Sequence, residues 1–320
     1  MTDDTIEWLL AGDPAIRWQT ERDLLDVDEA TWASTRAQVA VEGWGKGLLD
    51  HQDRGGTWGG GLYGPKWTST TYTLLLLRRL GLAPSDDQAA LGCARLLDDA
   101  EWVDGGVSYW SRPLAERCVN GMVLSIVSYF DVSDGRVDDI AELLIRSPMA
   151  DGGWNCRDHR GATHSSFHTT ISVLEGLVEW RRRRRTSDAD PAIAEAREFL
   201  LHHRLFRSHR TGEVIDDTWK TFHFPPRWHY DILRGLDHLA MGRFARDPRA
   251  AEAIDVVRAS RRADGRWGKG SQYGGETFFA LEPGRVAGRW NTLRALRVLR
   301  WWEGEIATAP DTAGGGSGTV

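Results

Sequence analysis

The pattern of apolar and polar positions alternates between two kinds of segment. One kind reads AIRWQTERDLL, PKWTSTTYTLLLL, ERCVNGMVLSIV, SFHTTISVLEGL, PRWHYDILRGL and GRWNTLRALRVL; these six align without gaps, and each continues as a largely apolar helix. The other kind carries apolar residues on one helical face only. It predicts amphipathic helices over 32–49, 87–97, 137–145, 192–201 and 250–260, with residues 4–10 as a short sixth. Each repeat then occupies roughly 50 to 60 residues, the size of a helix pair with its loops. The prediction is an all-α chain in which six inner and six outer helices close into one (α/α)6 barrel over residues 4–304, because a ring lets every inner helix bury both flanks. The segment 305–320, rich in Gly, Thr and Ala, reads as a disordered tail.

Loops of glycine and tryptophan precede most of the apolar segments: DRGGTWGG at 53–60, DGGVSYW at 104–110, DGGWNC at 151–156 and DGRWG at 264–268. Glycine permits a tight turn there, and an indole placed after it is expected to cap the neighbouring helix ends. Sixteen tryptophans in 320 residues are many, and their clustering around glycine ties them to the repeat.

With 41% hydrophobic residues the chain can bury a sizeable core. A formal charge of -6 gives no reason to expect nucleic acid as a partner, and the run Arg181 to Arg185 reads as a solvated loop. The apolar run 72–77 ends at Arg78, far short of the roughly 20 residues that a bilayer span requires. Three cysteines do not make a disulfide framework, and the acidic start lacks the features of a signal peptide, so a reducing cytoplasm is the expected compartment.

The six aligned segments share one position, occupied by Trp18, Trp67, Cys118, His168, Trp228 and Trp290. Four are indoles, and the two exceptions are neighbours and both zinc-ligand types, with Glu116 two residues before Cys118. Taken alone, Cys118 reads as a small buried hydrophobe and His168 as a polar gap-filler. Their coincidence favours a metal, with Cys156 and His164 as reserve ligands; Cys93, among Ala and Leu, reads as packing. The aromatic set Trp18, Trp67, Tyr72, Tyr109, Trp110, Trp154, Phe167, Trp228, Tyr230 and Trp290 either fills the axis or lines an apolar pocket whose ring faces stabilise positive charge. Asn120, His223, Arg227, His229, Arg289 and Asn291 are polar groups placed to orient a substrate head or hold a diphosphate. Asp216, Asp217 and His229 are the candidates for acid and base chemistry.

The motifs resemble the terpenoid cyclase and protein prenyltransferase superfamily. Gln52 to Trp58, QDRGGTW, matches the Q-x3-G-x-W motif of squalene cyclases, and DGGW at 151–154 and DGRW at 264–267 are weaker copies. The acid motif D-x-D-D of those enzymes has only a partial counterpart in VIDDT, where Val214 stands for the first Asp. Room for one barrel makes the chain similar to the β subunit of protein prenyltransferases, whose zinc is held by D-x-C at one inner-helix start and His at the next. Glu116, Cys118 and His168 repeat that order with Glu for Asp. The resemblance implies zinc and a small apolar, isoprenoid-type substrate; Arg112 and Arg117 do not keep the spacing of the family's diphosphate-binding run. The alternatives are a metal-independent cyclase using Asp216 or Asp217 as acid, a carbohydrate-active (α/α)6 enzyme with paired carboxylates, and a noncatalytic binding module.

Overall fold

The computed structural model describes residues 3–111, 113–282, 284, 287–306 and 308. The fold is all-α apart from one short hairpin. Its helices are α1 (Asp3–Leu10), α2 (Pro14–Asp23), α3 (Glu29–Ala37), α4 (Gly43–Leu49), α5 (Thr70–Leu80), α6 (Asp87–Asp98), α7 (Arg117–Tyr129), α8 (Arg136–Ile145), α9 (Phe167–Arg184), α10 (Asp190–His202), α11 (Ile232–Met241), α12 (Ala251–Ala259) and α13 (Arg289–Glu303). Strands β1 (Glu101–Val103) and β2 (Gly106–Ser108) pair antiparallel across Asp104 and Gly105, a dipeptide suited to a two-residue hairpin turn. The sequence reading gave no strand here. Most of the expected tail lies outside the described residues.

Starts and stops follow local chemistry. Asp13, Asp28, Asp86 and Asp231 each accept a backbone N–H at the start of α2, α3, α6 and α11, satisfying donors that the helix leaves free. The helix expected over 32–49 is instead broken into α3 and α4. Gly43, the first residue of α4, has φ +67°, and a Cβ there would stand 2.1 Å from the Asp13 carboxylate oxygen that Trp44 N–H bonds at 2.7 Å. A side chain at 43 would therefore displace the cap of α2.

The apolar helices pack on one another. α7 lies against α5 and α9, and α13 against α11 and α2. α7 and α9 approach closely because Gly121 and Gly176 face each other: a Cβ on Gly176 would meet the Gly121 carbonyl at 2.5 Å, and one on Gly121 would meet Val173 backbone at 2.7 Å. Between α2 and α5 the Trp18 indole and the Gln19 amide donate to the carbonyls of Leu80 and Arg79. Between α9 and α11, Arg234 grips Glu175.

The glycine and tryptophan loops lock α4, α8 and α12 to α5, α9 and α13 in a repeated way. The indole N–H of Trp58, Trp154 and Trp267 donates to the carbonyls of Leu48, Leu144 and Val257 at 2.7, 3.0 and 2.8 Å, at the ends of α4, α8 and α12. Their backbone N–H groups bond Thr70, Thr170 and Thr292 at the starts of α5, α9 and α13. All three side chains are fully buried. The capping role expected for these indoles is therefore what they do, so Trp154, which the sequence reading placed in the substrate pocket, works as a cap between helices.

Candidate functional site

The aligned position does not fall at one height. Cys118, His168 and Trp290 are the second residues of α7, α9 and α13, whereas Trp67 and Trp228 precede α5 and α11 by several residues and Trp18 lies in mid-α2. Of the metal candidates, the structure brings together Glu116, Cys118 and Cys156, whose carboxylate oxygen and sulfurs lie within 4.8 Å of one another. The loop after Trp154 folds back so that the Cα atoms of Cys118 and Cys156 are 6.1 Å apart, and their sulfurs are joined in a disulfide. The Cys156 sulfur also accepts from the Cys118 N–H at 3.2 Å and the Thr169 hydroxyl at 3.4 Å.

His168 stands apart from that group. Its Nδ1 accepts the Tyr230 N–H at 2.8 Å, and burial pushes its pKa down to about 4. The ring faces Trp228, Trp219 and His229 with centroids 5.2 to 5.9 Å away. His164 is exposed on the surface, where its Nε2 accepts from Arg210.

The aromatic candidates divide. Trp67, Tyr72, Trp110, Trp228 and His229 gather at one wall, joined by Tyr63, Lys66 and Tyr273, which the sequence reading missed. Trp67 meets Tyr72 edge-on at 4.8 Å, Trp110 meets Tyr63 at 5.1 Å, and the Tyr72 and Tyr63 hydroxyls bond at 2.9 Å. His229 is sandwiched between Trp228 at 3.7 Å and Tyr273 at 3.6 Å, and burial drives its pKa down to about 3. The Lys66 ammonium stands 5.1 Å from the ring centre of Tyr63 and 5.7 Å from those of Trp67 and Trp228. The Arg227 guanidinium covers Trp67 at 5.3 Å. The missed residues had a faint signal: Tyr63 and Lys66 belong to the glycine-rich approach to Trp67, and Tyr273 to a similar stretch, SQYGGE.

Glu116 belongs electrostatically to this wall. Burial raises its carboxyl above the ordinary carboxylate range, opposed by His159, Arg160 and Lys66; Tyr63 and Tyr72 are raised first by burial, to which the Glu116 charge adds. A cavity of about 130 Å³ adjoins the wall at Trp67, Arg227, Tyr273 and Phe278.

Other candidates lie elsewhere. Phe167 and Tyr230 pack with Trp219 in the core, and the Tyr230 hydroxyl is taken by the Leu205 carbonyl. Trp290 stacks on Phe224 at 4.0 Å, and Asn291 donates to the carbonyls of Phe222 and Gly268. Asn120 likewise bonds the Val107 backbone, and Arg289 the Trp8 carbonyl. His223 stacks on Tyr273 at 4.6 Å, next to the wall. Asp216 accepts from Thr218, which holds its carboxyl below the usual value, and exposed Asp217 pairs with Lys220. Asp216 is therefore not a carboxylic acid held neutral by its surroundings.

No family model matches the chain, and no curated protein matches it. Among solved structures, a crystal structure of a protein from Actinoplanes is similar over 91% of this chain and 90% of its own, at 17% identity and a TM-score of 0.46.

Proposed function

We propose that α2, α5, α7, α9, α11 and α13 close into a single (α/α)6 barrel with the remaining helices outside, and that the chain is an enzyme acting on an isoprenoid or similarly apolar substrate at the aromatic wall. The packing order supports the ring: each of these helices contacts or bonds the next, and α13 returns to α2, where Arg297 bonds Gln19 and Asp23. The observation that carries the functional reading is Lys66. Three ring faces converge on its ammonium, and a wall that holds one cation by its quadrupoles is suited to positive charge developing on an alkene or allylic carbon.

In this reading Glu116 is the acid. Its raised pKa keeps a larger share of the carboxyl protonated than an exposed glutamate has, beside rings that favour the cation formed by proton transfer. Asp216, held as a carboxylate, does not meet that requirement. His229 and His168, both kept neutral by burial, add no charge that would repel a cation. The test is incubation of the purified chain with squalene and with farnesyl diphosphate, followed by mass analysis of extracted products. Turnover that falls by about 10²-fold or more in Glu116→Gln and Trp67→Ala is expected from loss of a general acid and of a wall ring; absence of any product with both substrates refutes the reading.

A second reading rests on the donor set of Glu116, Cys118 and Cys156. One carboxylate and two sulfurs suit zinc, but only as thiolates, and the bonded sulfurs leave Glu116 as the sole free ligand. Once the pair is reduced these three residues would hold the ion, with His168 outside the set, and zinc there would act as a Lewis acid with an open position. Metal analysis of the chain purified with and without reductant checks this: one zinc per reduced chain, lost in Cys118→Ala, is the expected outcome, and a metal-free reduced chain rules it out.

A further inference from the structure

A second cavity, larger than the one beside the aromatic wall, lies away from it. It has a volume of about 450 Å³, opens partly to solvent beside Arg182, Arg183 and Met241, is lined from α2, α5, α7, α9, α11 and α13 alike, and carries nine arginines against three carboxylates, Glu175, Glu179 and Asp237. That volume lies within the roughly 300 to 1,000 Å³ of small-molecule sites. Interiors avoid unpaired charge, because removing an ion from water costs several kcal/mol unless partners replace its hydration.

The pairing inside is incomplete in a regular way. Each buried acid serves two guanidiniums. Glu175 takes Arg79 and Arg234, Glu179 takes Arg78 and Arg182, and Asp237 takes Arg294 and Arg297. Asp23, just behind the lining, takes Arg297 and Arg22. Arg36 pairs with no carboxylate among the described residues: it donates to the Gly81 and Leu82 carbonyls and the Tyr129 hydroxyl. Several donors remain without acceptors. Nε of Arg78 and of Arg79 and Nη2 of Arg294 are buried and unbonded, and Arg294 is only 3% exposed. The Arg79 guanidinium is held down to about 10, first by burial and then, against Glu175, by Arg234, Arg78 and Arg294 around it.

A purely structural role accounts for part of this. Cations near helix C-termini offset the helix dipole, and Arg36 bonds carbonyls at the end of α5. It does not account for the excess of guanidiniums over carboxylates in the lining, nor for the buried donors of Arg78, Arg79 and Arg294 that have no described hydrogen-bond partner.

We infer that this cavity is a binding site for a compact small-molecule polyanion bearing two or more phosphoryl groups. Guanidiniums reach the space from several helices and so from several directions. Tetrahedral phosphoryl oxygens meet such a spread of forks better than one planar carboxylate does, and they bring more charge into the same volume. The recess has the volume of a small-molecule site, which selects a free small molecule over a nucleic acid or a membrane surface. The site is independent of the reaction proposed at the aromatic wall.

Isothermal titration of the full purified chain with tripolyphosphate, pyrophosphate and citrate, without divalent ions, tests the inference. Binding of one tripolyphosphate or pyrophosphate per chain is expected, weakened by roughly tenfold or more when a charge-assisted donor is removed in Arg294→Gln or Arg36→Gln. Surface Arg258→Gln, together with Glu116→Gln and Trp67→Ala at the wall, leaves it unchanged, so failure of the wall reading does not alter this outcome. Arg36→Gln orphans no carboxylate and therefore decides the matter should Arg294→Gln fail to fold. No binding of either phosphate compound at millimolar concentration, binding indifferent to the cavity variants, or preference for citrate overturns the proposal.

Discussion

Replacing Glu175 by Gln isolates the buried charge network. The carboxylate is bonded by Arg79 Nη2 at 2.9 Å and by Arg234 through Nε at 2.9 Å and Nη2 at 3.0 Å, and all of this lies in the interior. At an effective dielectric of about 20, each guanidinium at roughly 4 Å contributes about 4 kcal/mol of attraction, much of it offset by the desolvation of three ions. Removing the shared anion keeps the desolvation and loses the attraction, so Glu175→Gln should destabilise the chain by about 3 to 5 kcal/mol at neutral pH. Glu42→Gln, which removes a pair of similar length from the surface (Arg17 to Glu42, 2.7 Å), should cost less than about 1 kcal/mol. Urea unfolding followed by tryptophan fluorescence reads both. The pH dependence supplies a further check. Arg234 and Arg79 hold the Glu175 carboxyl well below its ordinary 4.5 against the opposing effect of burial, so its contribution is complete above that value and is lost as pH falls below it. The gap between wild type and Glu175→Gln should therefore narrow under acid conditions. The same substitution makes the cavity more cationic, so it should tighten tripolyphosphate binding while weakening the fold. A loss below about 1 kcal/mol, or a gap that does not narrow in acid, refutes the claim that this carboxylate is the counter-ion of two buried arginines.

Burial depresses His229 to about 3 and His168 to about 4 from an ordinary 6.5. The unfolded chain therefore takes up these protons first, and stability should fall as pH drops from 6.5 toward those values; His229→Gln should flatten that part of a stability-versus-pH curve, and an unchanged slope would contradict the assignment. Trp154→Phe keeps an aromatic ring but removes the indole bond to the Leu144 carbonyl, which retains only backbone donors such as the Ser147 N–H at 3.3 Å, a loss of about 1 kcal/mol in denaturant unfolding, whereas a neutral result would mean that the indole is no cap. Gly43→Ala forces a side chain into a left-handed backbone and onto Asp13, so it should destabilise by more than about 1 kcal/mol, and a stabilised variant would contradict the described turn.

The helical repeat was legible because it is written locally. Apolar stretches marked the inner helices, and the recurring glycine before Trp58, Trp154 and Trp267 marked equivalent loops whose indoles do cap their neighbours. The break at Gly43 was not legible, since only the nearness of Asp13 makes it obligatory. The metal candidates show the same limit. Spacing put Cys118 and His168 at adjacent helix starts, but it carries no information on where a side chain turns. Cys118 meets Cys156 from a returning loop, and His168 turns to Tyr230. The cationic cavity was hidden for a related reason. Glu175, Arg234, Arg294 and Arg297 interrupt apolar helices and look like blemishes in the periodicity, because their partners lie at least 57 residues away in the chain.

Arg234 ties the two regions together. Its Nε and Nη2 bond Glu175 at the cavity, while its Nη1 donates to the His229 carbonyl at 2.7 Å, on the turn that inserts His229 between Trp228 and Tyr273. Asp231 reinforces this turn by accepting from the Arg234 and His223 N–H groups, and His223 stacks on the same Tyr273. An anion that draws the guanidinium off Glu175 must either keep the bond to His229 or release a carbonyl that has no other described acceptor role in holding the stack. Substitutions at Glu175 and at Arg234 are thus coupled through a single planar group with a fixed set of donors, and their effects on stability should not be additive. The interior is in this sense one polar framework with two differing regions: guanidiniums line the cavity, aromatic rings form the wall, and Arg234 divides its bonds between them.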